Sequence, residues 1–146
     1  MNQGVSYAKL EMDGTERFVA LRRNLGVTSF GMNLILLQPA QRGRIHKHER
    51  QEEVYLVLEG TLSLAIEGVE RDLHAGELAR VAPEVRRQLI NRGPGRLAIL
   101  ALGAAGEHDG RDGVAFSTWD AGTGASPQEL PLPEDLPAHE LRGPRS

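Results

Sequence analysis

Apolar and polar residues alternate in short runs along most of the chain, and glycine or proline separates one run from the next. Residues 16–23 (ERFVALRR) and 29–37 (SFGMNLILL) read as strands, the second ended by Pro39. Residues 53–59 (EVYLVLE) form the strongest strand. After the Gly60-Thr61 turn, 61–67 (TLSLAIE) alternates with Leu62, Leu64 and Ile66 on one face. Shorter runs follow at 69–73, 78–82, 87–91 and 96–102, the last taken as the final core strand. No segment before the C-terminal tail reads as a helix. Strands of this length, spaced by turn residues, predict an all-β sandwich or barrel.

Two runs are apolar on both faces. In 53–59, Tyr55 and Val57 share one side while Val54, Leu56 and Leu58 share the other, and LAILAL near residue 100 behaves the same way. Such strands need a second layer over their outer side. The N-terminal strands or a partner chain are the natural cover, so a homodimer is expected. From residue 121 the pattern stops: five of the eight prolines lie beyond it, with little apolar content. A segment of this kind buries too little to offset its ordering entropy. The chain therefore divides into a barrel domain over 1–120 and an extended or disordered tail over 121–146.

With 146 residues, 40 % of them apolar and 25 % charged, the chain suits one soluble globular domain. No apolar run approaches the roughly 20 residues that cross a bilayer, and the N-terminus lacks a signal-peptide pattern. Neither a membrane partner nor export is expected, and a cytoplasmic location is the default. A net charge of −3 with scattered basic residues argues against nucleic acid as a partner. The absence of cysteine excludes disulfides, thiolate metal sites and cysteine nucleophiles. Any metal must be held by histidine and carboxylate.

One stretch breaks the strand chemistry. GRIHKHERQEEVYLVLEG places His46 and His48 two apart, so that both imidazoles leave the same face of a strand. Glu53 lies at an odd offset from them and cannot share that face along one uninterrupted strand. The polar Glu49-Arg50-Gln51 lets the chain reverse and bring Glu53 in from the neighbouring strand. By pleat parity Glu53, Tyr55 and Val57 then face inward and Glu52 outward. Two imidazoles and a carboxylate suit one divalent first-row metal with open positions, and Zn, Fe, Mn and Ni are not distinguished.

These residues resemble the first motif of the cupin superfamily, matched here by Gly43, His46, His48, Glu53 and, after six intervening residues, Gly60. The gap after Gly43 is shorter than the family's. A degraded second motif is similar to the run from Gly76 through Pro83 to Asn91, with Glu84 where glycine is usual and Arg87 at the position of the family's histidine. The resemblance implies a double-stranded β-helix (jelly-roll) barrel, commonly dimeric, with the site inside it. It does not select a function.

Arg87 cannot replace a histidine ligand, because guanidinium has no lone pair to give. Facing inward, it either binds an anionic ligand such as a small carboxylate or pairs with Glu53 in a metal-free pocket. The alternative is that Arg86 points in instead. Tyr55 is a second candidate ligand contact, and otherwise packs. His74 is expected at a strand end, His108 and His139 in solvent, Gln51 near the pocket mouth and Trp119 as a packing anchor. Three function classes follow: a metal-dependent enzyme acting on a small organic acid, a binding or sensing module without catalysis, and a structural dimerisation domain.

Overall fold

The structure, a computed structural model, describes residues 4–104 and 112–143. It is mostly β: two five-stranded antiparallel sheets face each other in the arrangement of a double-stranded β-helix. In chain order the strands are β1 (Phe18–Ala20), β2 (Gly31–Leu37), β3 (Ile45–His48), β4 (Glu52–Glu59), β5 (Thr61–Ile66), β6 (Val69–His74), β7 (Leu78–Val81), β8 (Arg87–Ile90), β9 (Leu97–Ala104) and β10 (Gly113–Phe116). The first sheet runs β1-β2-β9-β4-β7 and the second β10-β3-β8-β5-β6.

The alternation in the sequence accounts for the interior. Ile35, Leu37, Tyr55, Val57, Leu62, Leu64, Leu73, Val81, Leu89, Leu97 and Ile99 meet between the sheets as one buried cluster. Gly60 makes the β4–β5 turn possible: its φ is +84°, and a Cβ there would strike the Arg96 carbonyl oxygen. No helix among the described residues is long and apolar enough to cross a membrane.

Two expectations need correction. The run 16–23 is not one strand: β1 stops at Ala20, and Leu21–Leu25 form a short helix, α1, closed by Gly26 in the left-handed conformation. Gly26 and Val27 both donate to the Arg22 carbonyl, and Leu21 is buried on the outer face of the first sheet with Leu34, Leu36 and Ala98. A single helical turn is too short to register as a period. Second, 96–102 is not the last core strand, because β10 follows and pairs with β3.

The tail, over its described residues, is the extended arm of the two alternatives, and one of its side chains is buried. Residues 121–143 run as an extended arm with two 3-10 turns at Pro127–Glu129 and Ala138–Glu140. Leu136 is 5 % exposed and packs with Ala40, Ala65 and Ile90 on the outer face of the second sheet. Its amide donates to the Ala40 carbonyl, and the side chains of Arg42, Arg44 and Arg92 donate to the arm's carbonyls at Glu134, Leu130 and Glu140. Guanidinium groups supply the binding that apolar area does not.

The outer face of β4 and β9 is covered in part by the chain itself. Met12, Val19 and Met32 pack there with Leu58 and Leu100, while Val54 and Leu56 stay half-exposed.

Candidate metal centre

β3 and β4 deliver the three candidate ligands to one place. His46 and His48 leave the same face of β3, their rings 5.4 Å apart and nearly perpendicular. The turn at 49–51 reverses the chain, and Glu53 enters from β4 in the opposite sheet. His46 Nε2 lies 3.6 Å and His48 Nε2 3.2 Å from Glu53 Oε1. On β10 and β9 the cross-strand neighbours are small: Gly113 opposite His48, Ala115 opposite His46, and Gly103 opposite Glu53. A Cβ on Gly103 would press against Glu53 Cγ at 3.3 Å, so the glycine leaves room for the carboxylate stem.

Arg87 lies beneath this set and is fully buried, with a side-chain exposure of 0 %. It pairs with His46 across β3–β8 and points into the interior as Leu89 does. Its Nη2 donates to Glu53 Oε1 at 2.8 Å and its Nε to the Tyr55 hydroxyl at 3.3 Å. Nη1 faces the carbonyls of Ala82, Pro83 and Val85 at 3.3, 3.1 and 2.7 Å. The Tyr55 hydroxyl in turn donates to Glu53 Oε1 at 2.5 Å. A buried cation is tolerable only with such a full set of acceptors.

These contacts set the charge states. Burial opposes the charge on Glu53, but the facing imidazoles of His46 and His48 outweigh it and hold the carboxyl well below the usual carboxylate range. Burial and then the Glu53 charge push the Tyr55 phenol well up, so it stays protonated and donates. Burial works against Arg87 as well, yet Tyr55 and Glu53 more than compensate and raise its pKa above the ordinary value.

The residues fit a metal ion. One donor atom from each of His46, His48 and Glu53 lies within 4.8 Å of the others. Ligands held at about 2.0–2.2 Å from a common ion sit roughly 3–3.5 Å apart, close to the spacing found. His46 Nδ1–H donates to the Arg44 carbonyl at 3.1 Å, which leaves Nε2, the nitrogen facing Glu53, with its lone pair. Both ring nitrogens of His48 are buried without a hydrogen-bond partner. That is costly unless something else takes up the lone pair. The cluster could therefore hold a metal ion.

The remaining candidates lie elsewhere. Glu52 points outward and pairs with Arg80. Arg86 stacks over the Phe116 ring, 3.6 Å from its centroid, and donates to the Trp119 carbonyl. His74 ends β6, its ring 3.3 Å from Thr61 Oγ1. His139 is exposed in the second 3-10 turn, and Trp119 packs partly against Ala40, Ala65, Ile90 and Leu136. His108 lies outside the described residues. Gln51 is buried beside Gly103 and Glu53. The motif's Asn91 is a structural latch, joining Leu37, Gly93 and Gly95 by its side-chain amide.

Sequence reasoning missed Asp112, whose carboxylate is 3.6 Å from His48 Nδ1 and bonds the turn before Glu53. It also missed the small residues Gly103 and Gly113. The glycines could have been sought as gaps opposite the ligands, but only once β9 and β10 had a register.

Residues 33–103 match the cupin domain family. None of the curated proteins matches this chain. Among solved structures, a cupin protein from Bacteroides fragilis is 21 % identical with a TM-score of 0.63, over 71 % of this chain and 86 % of that one. A protein from Silicibacter pomeroyi described as a sugar phosphate isomerase from a cupin superfamily is 26 % identical with a TM-score of 0.58, over 74 % and 73 %. A double-stranded β-helix protein from Klebsiella pneumoniae is 16 % identical with a TM-score of 0.57, over 69 % and 92 %. Fold, motif and matched residues agree: residues 33–103 match the cupin domain within a fold of the double-stranded β-helix type, with a His46–His48–Glu53 cluster that could hold a metal ion.

Proposed function

We propose that this protein binds one divalent first-row metal ion through His46, His48 and Glu53 and uses it to bind a small organic acid. The observation that carries the reading is the convergence of one donor atom each from His46, His48 and Glu53, with both ring nitrogens of His48 buried and making no hydrogen bond. A bound divalent ion would act as a Lewis acid toward an oxygen of the ligand. The chain's own residues do the rest. The three ligand side chains are 13–22 % exposed, so the site is not sealed from solvent. Arg87 and Tyr55 form the polar floor, and an acid reaching it would share with Glu53 the donors that Nη2 and the phenol now give to that carboxylate. The Silicibacter pomeroyi relative, described as acting on a sugar phosphate, lends support to an anionic ligand.

A second reading, a metal-free binding or sensing pocket, is favoured by the 2.8 Å contact between Arg87 and Glu53, which already supplies the carboxylate with a cation. Elemental analysis of protein purified without a polyhistidine tag separates the two. The metal reading expects about one ion per chain, and His48→Ala should lose it while remaining folded. Absence of metal from the parent, together with no uptake of added Zn2+, Mn2+, Ni2+ or Fe2+, would leave only the metal-free pocket.

A further inference from the structure

The two arms of the site belong to different sheets, and the turn between them must be held in one shape for His46, His48 and Glu53 to converge. The turn Glu49-Arg50-Gln51 offers three consecutive amides, and one residue receives all of them. The Glu49 amide donates to the Asp112 carbonyl at 3.0 Å. The Arg50 amide donates to Asp112 Oδ1 and Oδ2 at 3.1 and 2.9 Å, and the Gln51 amide to Oδ2 at 2.7 Å. Asp112 is 5 % exposed, and it immediately precedes β10, whose first residue pairs with His48. Its Oδ2 lies 3.6 Å from His48 Nδ1, a nitrogen with no hydrogen-bond partner.

We infer that Asp112 is a positioning residue of the metal centre, a role that rests on the metal reading above. It acts in two ways. The carboxylate closes the turn that sets the distance from the β3 ligands to Glu53. It also gives the Nδ1 side of His48 a carboxylate to face, which favours the tautomer carrying its proton on Nδ1 and presents Nε2 to the ion. Carboxylates behind ligating histidines orient the ring and raise its basicity, and losing one typically costs 10–100-fold in metal affinity.

The test titrates Zn2+ alone into the parent, Asp112→Asn and Asp112→Ala, with circular dichroism to follow the fold. Asp112→Asn keeps an acceptor oxygen for the turn amides, so it should stay folded and lose about tenfold in affinity, while Asp112→Ala should lose closer to a hundredfold. A structural role alone would not set the tautomer of a ring, so the second readout is nitrogen-15 and proton spectroscopy of the metal-free parent, where no ion fixes the proton on Nδ1. The His48 ring proton should sit on Nδ1, and that preference should weaken in Asp112→Asn. Should both variants unfold, the parent's ring proton decides by itself. A parent that takes up no Zn2+ removes the metal reading. A parent that binds while Asp112→Asn binds equally well, or whose His48 carries its proton on Nε2, overturns the role of Asp112 and leaves the metal reading standing.

Discussion

Along β4 the inward row passes from Glu53 through Tyr55 to Val57, and within these residues the interior changes from a charged site to a dry core. At the Val57 end Leu62, Leu97 and Ile99 are wholly buried and contribute through apolar area alone. At the Glu53 end the largest fully buried side chain is Arg87, and almost every donor it carries has a named acceptor. The two ends show that one pleated row can serve either purpose. What differs is whether neighbouring strands bring hydrocarbon or matched polar atoms to the same layer.

The comparison is broken most severely by Arg87→Met. It takes the buried guanidinium away from Glu53 and removes the side-chain donor at the Val85 carbonyl, while Ala82 and Pro83 keep the amides of Val85 and His48, so a loss of about 3–5 kcal/mol is expected in urea denaturation. Adding Glu53→Gln to that variant should recover part of the loss, because the uncompensated charge is gone. At the dry end Leu62→Ala should cost about 2–5 kcal/mol by opening a cavity, yet leave the affinity for Zn2+ unchanged. A change in metal affinity there would mean that the two ends are mechanically coupled.

The smallest effect lies on the outer face, where the arm is tied by charge. Arg142 pairs with Asp72, and Arg92 pairs with Glu70 while holding the Glu140 carbonyl. Burial opposes the charge on Asp72, but the bonds from Arg142 and Ser63 outweigh it and hold the carboxyl below its usual value. The bond from Arg92, against a smaller opposition from burial, lowers Glu70 in the same way. Carboxylates depressed in the folded state contribute stability that is present above their ordinary pKa and lost as pH falls through the depressed one. The arm should therefore loosen only below about pH 4, seen as faster amide exchange at Leu136 and Arg142. These pairs are partly exposed, so Arg142→Ala should cost less than about 1 kcal/mol and reduce the Asp72 share of that pH dependence to what Ser63 sustains.

Much of the barrel and the nucleus of its site were legible from residue order. The alternation in 61–67 placed Leu62 and Leu64 in the interior, where the structure has them, and pleat parity with Tyr55 and Val57 turned Glu53 rather than Glu52 inward, beside the histidines. Helix α1 escaped because one turn cannot outweigh an adjoining strand pattern. β10 escaped because GVAF is short and gains its strand geometry from pairing with β3. The arm escaped because its attachment uses arginines from other segments, which composition within the arm does not reveal.

By itself, the sequence determined what depends on short spacing: the strand periods, the turn at Gly60, two imidazoles on one face, and the parity of Glu53. These follow from backbone geometry within a few residues. Only the tertiary structure decided the partners of Arg87, which donates to Glu53 34 positions earlier, and the place of Asp112, which closes a turn whose Gln51 amide is 61 positions away. Neither separation carries a periodic signal. A buried charge takes its meaning from the polar atoms that the fold assembles around it.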